Sequence, residues 1–83
     1  MADNEFSTPT VYRLKAEAPK AGISINDLYS NYETARRHYE NWKYDTRVME
    51  SHGHVSLVEM KAGPFASVPF KFEVTRDLGE HKW

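Results

Sequence analysis

One stretch of the chain repeats its apolar residues with the period of an α-helix. Positions three or four residues apart lie on the same side of a helix. The apolar positions with this spacing are Leu28, Tyr32, Ala35, Tyr39 and Trp42. The opposite side is charged and includes Arg36 and Lys43. The pattern therefore predicts one amphipathic helix that packs against an apolar surface formed by the rest of the chain.

The start of this helix has two candidate N-caps. Ser30 and Glu33 have the spacing of a capping box, in which each side chain accepts a hydrogen bond from a free backbone N–H. Asn26 is the other candidate, and it would place Leu28 inside the first turn. We favour Asn26, because this start includes the whole apolar stripe.

The end of the helix also allows two interpretations. The apolar rhythm continues through Thr46 and Met49, which predicts a long helix that ends with Gly53 as a left-handed C-cap residue. Alternatively, the helix stops near Tyr44, residues 47–51 form a short strand, and a tight hairpin turn follows at His52-Gly53. The rhythm favours the long helix.

Other segments alternate with the two-residue period of β-strands. These segments are residues 10–17, 54–61 and 68–75. The middle one has apolar residues on both faces, which predicts a central strand or a bulge near Val58. Gly63-Pro64 is a turn signal between the last two strands, so these strands are expected to form a hairpin.

Together these elements predict a small two-layer α+β domain. One long helix packs on a three-stranded antiparallel sheet, in the order β-α-β-β. The domain is expected to span residues 10–76, with a flexible tail at residues 1–9 and a polar tail at residues 77–83. The expected contacts across the two layers join Tyr32, Tyr39 and Trp42 to Leu14, Phe70 and Phe72.

Composition narrows the class of protein. The 83 residues suffice for one small domain, and the net charge of −1 argues against a general nucleic-acid binder. There is no cysteine, which favours a reducing, cytoplasmic setting. The first residues lack the basic and apolar regions of a signal peptide, and no stretch is apolar enough to cross a membrane.

Candidate catalytic and metal-binding chemistry is sparse. The serines have no nucleophile-elbow context, and the glycines do not form a phosphate-binding loop. His52 and His54 flank a glycine and are weak candidates for metal ligands, because two neighbouring histidines do not specify a site. We therefore expect no cofactor and no enzymatic activity.

Aromatic residues outnumber the positions that a small core offers. We expect several of them to be exposed and, together with basic residues of the helix, to contact a larger protein. The predicted partner-binding residues are Tyr29, Arg36, Arg37, Tyr44, Phe65 and Trp83. Many small phage and mobile-element proteins that bind a host protein have similar length and charge, which suggests an inhibitor, adaptor or subunit.

Two further interpretations stay open. The basic residues Arg36, Arg37, Lys43 and Arg47 could bind nucleic acid, with Trp42 and Tyr44 stacking on bases. The second interpretation is a metal-dependent activity at the segment His52-Gly53-His54. A homodimer formed through a free strand edge is also compatible with protein binding.

Overall fold

The computed structural model describes residues 10–62 and 72–83, which form an α+β domain with one antiparallel sheet. The elements are β1 (Thr10–Ala18), a 3₁₀ turn (Pro19–Ala21), β2 (Ile23–Tyr29), α1 (Tyr32–Lys43), α2 (Thr46–Glu50), β3 (His54–Ala62) and β4 (Phe72–Lys82). The sheet has four strands in the order β2-β1-β3-β4. The α+β class is confirmed, but the predicted three-stranded sheet and the β-α-β-β order are wrong.

The strand that sequence reasoning missed is β2. Gly22 has a φ of 73° and donates its N–H to the Pro19 carbonyl, which closes the turn between β1 and β2. Ile23 and Ile25 then face the core side of the sheet. Asn26 is therefore a strand residue and caps no helix, and Leu28 lies outside the helix with 62% of its surface exposed.

The N-cap of helix α1 is Asn31, which was not predicted. The Asn31 side chain accepts a hydrogen bond from the Thr34 N–H at 2.9 Å. This start lies one residue beyond Ser30, so neither proposed N-cap was right. The predicted stripe holds for three positions of the helix, since Ala35 and Tyr39 are buried and Trp42 packs against the core. Tyr32 was also expected to pack against the sheet, but it is 37% exposed at the first turn, where its ring meets Tyr12 edge to face.

Neither interpretation of the end of the helix is fully correct. Helix α1 ends at Lys43, with Tyr44 as its C-cap, as the shorter alternative required. The following residues are helical, however, because Asp45 accepts a hydrogen bond from the Arg47 N–H and starts α2. The residue with positive φ after α2 is His52, at 57°, where Gly53 was expected.

Gly53 is required for a different reason, which is close packing. A Cβ at this position would lie 2.8 Å from both the Glu17 carbonyl oxygen and Val48 Cγ1. The Gly53 N–H also donates to the Val48 carbonyl at 2.8 Å. The absence of a side chain thus lets α2 pack directly on the end of β1.

The core lies between α1, α2 and one face of the sheet. The cross-strand pairs Leu14–Leu57 and Ala16–Val55 form its centre, and all four residues are fully buried. Tyr39 and Val48 cover them from the helices. Phe70 lies outside the described residues. Phe72 is half-buried at the start of β4 and shares the face of Val74, away from the helices, so its predicted contact with the helix is wrong.

The last two strands pair as predicted, but β4 is longer than expected. Strand β3 is central and antiparallel to β4, which confirms the first of the two alternatives for this segment. The predicted bulge near Val58 is wrong for β3, which pairs with β1 without a register shift; the shifts in the pairing of β3 with β4 come from the additional β4 residues Thr75 and Leu78. Residues 77–83 are not a tail, since β4 continues to Lys82. The predicted tail at residues 1–9 lies outside the described residues.

Both helices lie on the same face of the sheet. Within the described residues, the opposite face, which we call the open face, is covered by no element. Alternation along the strands directs several apolar side chains and one arginine to the open face, namely Val11, Arg13, Leu28, Val58, Met60 and Val74. In the described part of the chain, no helix is long and apolar enough to span a membrane.

Candidate protein-binding surfaces

Trp83 connects the end of β4 to the junction of the two helices. Its backbone N–H donates to the Gly53 carbonyl at 2.9 Å, and its indole N–H donates to the Lys43 carbonyl at 2.7 Å. The second bond satisfies a carbonyl at the C-terminus of α1, where no further helical turn can supply a donor. Half-buried Trp83 therefore fixes the helix junction to the sheet.

Tyr44 lies at this junction and is the most exposed of the described tyrosines. It has 59% of its surface exposed, and its ring meets the Trp83 ring edge to face, with centroids 6.3 Å apart. Lys43 Nζ lies 5.3 Å from the centroid of the Tyr44 ring. A large exposed aromatic ring is thus held in place by an anchored neighbour and an adjacent cation.

Arg47 extends the same surface along α2. Its guanidinium contacts both carboxylate oxygens of Asp45, at 3.1 and 2.9 Å, and lies 5.8 Å from the centroid of the Trp42 ring. The hydrogen bond from Arg47 lowers the pKa of Asp45 from 3.8 to about 2. We call the surface formed at this helix junction the Tyr44 surface. It comprises Trp42, Lys43, Tyr44, Arg47 and Trp83.

The two predicted arginines on α1 differ in their surroundings. Arg36 donates to the Tyr32 hydroxyl at 2.9 Å and to Glu40 at 3.1 Å, and these contacts raise the pKa of Arg36 above its usual value. Arg37 is exposed and forms no ion pair with any described residue. Arg36 is therefore held by its neighbours, whereas Arg37 is available to contact a partner.

Tyr29 lies near the other end of α1 and is half-buried. Its ring stacks on the His38 ring with centroids 5.0 Å apart. Burial and the neighbouring Asp27 carboxylate raise the pKa of the Tyr29 hydroxyl. The structure therefore brings Tyr44 and Trp83 together, while Tyr29 lies apart from them; Phe65 lies outside the described residues.

The two histidines proposed as weak metal ligands have different partners. His52 Nδ1 lies 3.3 Å from the Trp83 carbonyl oxygen, and His54 Nε2 lies 2.8 Å from Glu80 Oε2. Among residues 10–62 and 72–83, no group of three or more histidine, cysteine, aspartate or glutamate side chains is placed to hold a metal ion. The arrangement gives no support to a metal site at this segment.

Glu59 is a buried acidic residue that sequence reasoning missed. It is 6% exposed, and its carboxylate accepts hydrogen bonds from the Thr75 hydroxyl at 2.7 Å and from Arg76 at 3.1 Å. These bonds lower the pKa of Glu59. The signal in the sequence was a single acidic residue within a largely apolar strand. The hydrogen bonds of Glu59 connect β3 to β4.

Comparisons with known proteins do not assign this chain to a family. The chain matches no family model, and no match was found among curated proteins or solved structures.

Proposed function

We propose that this chain is a non-enzymatic intracellular protein that acts by binding a larger protein through the Tyr44 surface. The observation that carries the proposal is the exposed ring of Tyr44 on the anchored base formed by Trp83. Such a protein would serve as an inhibitor, an adaptor or a subunit.

The physical argument concerns the cost of ordering side chains on binding. Ordering a flexible side chain at an interface costs about 0.5–1.5 kcal/mol. Contacts with Trp83 and Lys43 already restrict the Tyr44 ring in the free protein. More of the free energy from burying the ring is then available for binding, which is why rigid aromatic residues are enriched among binding hot spots.

The charges around Tyr44 indicate the chemistry of the partner. Lys43 adjoins the ring, and within the described residues it forms no ion pair. The opposing surface is therefore expected to offer an apolar pocket for the ring with a carboxylate at its margin. Charge complementarity of this kind orients the partners and speeds their association.

The other predicted contacts fit at the periphery of such an interface. Helix α1 is about 18 Å long, so a partner seated on Tyr44 can also reach Arg37 on its outer side. Arg36 is expected to contribute less, because binding would have to compete with Glu40 and Tyr32. Tyr29 and Phe65 remain proposed contacts of the same interface.

Nucleic-acid binding has weaker support. Arg36 is paired with Glu40, and Arg47 is paired with Asp45, so two of the four proposed phosphate contacts are neutralised within the chain. A phosphate would have to displace these carboxylates. Binding that weakens steeply with salt would favour this alternative.

Site-specific photo-crosslinking in the source cells tests the proposal. A photoreactive phenylalanine analogue at position 44 is compared with the same analogue at Glu33, an exposed residue of the first turn of α1. We expect one protein to be crosslinked from position 44 and much less of it from position 33. Equal crosslinking from both positions, or nucleic acid as the product, would overturn the proposal.

A further inference from the structure

We propose that the open face of the sheet binds a second copy of this chain, and that the two sheets pack face to face around a two-fold axis along β3. This inference concerns a different surface from the Tyr44 surface and does not depend on the proposed partner. It rests on the placement of charged and apolar side chains across β1, β3 and β4.

The strand register sets these side chains in rows across the open face. Three rows cross β1, β3 and β4, and they are Arg13–Val58–Asp77, Lys15–Ser56–Glu80 and Glu17–His54–Lys82. Along β1 the charges read positive, positive, negative, and along β4 they read negative, negative, positive. Each charge on β1 thus has its opposite in the same row on β4, two strands away.

A two-fold axis along β3 turns this pattern into contacts between copies. The rotation keeps each row at the same position along the strands and reverses the order of the strands across the sheet. Strand β1 of one copy therefore lies over β4 of the other copy. Arg13 then faces the partner's Asp77, and Glu17 faces the partner's Lys82. The interface is isologous, so each contact occurs twice. Because both sheets are twisted, the strands of the two copies are best aligned near the axis and diverge away from it.

The apolar residues of the open face lie at one end of the same arrangement. Val58 and Met60 lie on β3, so each faces its own copy across the axis. Val11 faces the partner's Val74, which is 52% exposed in the single chain. Burial of these side chains supplies the apolar contribution, and the charged rows fix the orientation of the two copies.

Arg13 adds an independent observation. Its Nε is shielded from solvent and has no hydrogen-bond partner among the described residues. An unpaired buried donor is unfavourable in the single chain. In the proposed dimer the partner's Asp77 lies opposite the Arg13 guanidinium, and a change of the Arg13 rotamer would bring Nε to this carboxylate.

The area of the overlap indicates a reversible dimer. Three strands about 4.8 Å apart and about 30 Å long present about 400 Å² in projection. With the relief of the side chains, two copies bury an area near the lower end of specific interfaces, at about 1,200 Å². Interfaces of this size are typical of weak, reversible association.

Pairing through a strand edge is less favoured. Strand β4 forms one edge of the sheet, and its pairing with β3 is shifted in register at two places. Bulges twist an edge strand and hinder the addition of another strand. The other edge, β2, carries Asp27 on the core side of the sheet, and a charge there also discourages pairing.

A charge swap tests the proposed dimer. The variants are Glu17→Lys, Lys82→Glu and the two combined, studied by sedimentation equilibrium over a concentration series. Both residues are exposed, so the fold should tolerate the changes. Each single variant sets like charges against each other twice and should weaken dimerisation about tenfold. The double variant should restore it, and Arg37→Glu on α1 is the matched control.

The outcomes separate this inference from the proposed function. The dimer is overturned if the wild-type chain is monomeric at all concentrations, or if the double variant dimerises no better than either single variant. Crosslinking from position 44 should persist in the Glu17→Lys variant if the partner contacts the Tyr44 surface independently. Its loss there, with the fold intact, would show that binding of the partner at the Tyr44 surface requires the dimer.

Discussion

At the scale of single residues, the position of Gly53 leaves no space for a side chain. A methyl group there would meet backbone and side-chain atoms at 2.8 Å, so Gly53→Ala must displace α2 from β1. We expect the variant to lose about 2 kcal/mol of unfolding free energy, measured by denaturant titration.

Gly22 provides the matched control for this substitution. Nothing lies within 4 Å of a Cβ at this position, and asparagine tolerates its left-handed conformation. Gly22→Asn should therefore cost less than about 1 kcal/mol. A Gly53→Ala variant as stable as Gly22→Asn would show that close packing at Gly53 is not limiting.

Asp45 gives the fold a defined acid dependence. Its pKa is lowered to about 2 in the folded chain by the hydrogen bond from Arg47, against 3.8 without such contacts. A lowered folded pKa stabilises the fold above the unfolded value, and that contribution is lost as the pH falls through the folded value.

The difference in unfolding free energy between the wild-type chain and Asp45→Asn should therefore be constant above about pH 4 and shrink towards pH 2. Nuclear magnetic resonance titration of the carboxylate gives the midpoint directly. A midpoint near 4 would contradict the contact between Asp45 and Arg47.

At the scale of elements, the N-cap of α1 distinguishes the observed helix start from the predicted ones. Asn31→Ala removes the acceptor for the Thr34 N–H and should cost about 1 kcal/mol. Ser30→Ala should cost less than about 0.5 kcal/mol, because Ser30 is not the N-cap. Chemical denaturation of both variants measures the difference, and equal losses would place the cap elsewhere.

The elements with clear periodicity could be predicted from the sequence. Residues of β1 alternate through Leu14 and Ala16, and the helical stripe holds through Ala35 and Tyr39, so both elements were found. Strand β2 was missed because Leu28 extends the helical spacing by one step, whereas the pairing of β2 with β1 places it on a strand. Tertiary pairing here overrides local periodicity.

The short helix α2 was missed for a local reason. Val48 is β-branched, which favoured a strand, and the apolar rhythm favoured one continuous helix. Neither pattern reveals that Asp45 has extended dihedral angles and caps a new helix. That choice depends on the Arg47 hydrogen bonds and on the space left by Gly53, which are visible only in three dimensions.

At the scale of the whole molecule, one residue links the fold to the proposed site. Trp83 was predicted from sequence only as an exposed aromatic, yet it joins β4 to the ends of α1 and α2. The Trp83 ring held by these contacts packs edge to face against the ring of Tyr44. The exposure of Tyr44 could be anticipated from its position off the stripe, but its support by Trp83 could not.

The two proposed surfaces lie on different sides of the molecule. The Tyr44 surface is at the helix junction, while the open face lies on the side of the sheet away from both helices. A dimer formed through the open face would leave both copies of Tyr44 accessible. Such a dimer could engage two partner molecules, or one partner with two-fold symmetry, with the gain in avidity that bivalence gives.

The most direct test of the central claim is the affinity of the crosslinked partner, once purified, for the Tyr44→Ala variant. Truncation of a hot-spot residue typically weakens binding at least tenfold, and we predict a loss of this size by calorimetry. Glu33→Ala should bind as the wild-type chain does. A Tyr44→Ala variant that is folded and retains wild-type affinity would contradict the account.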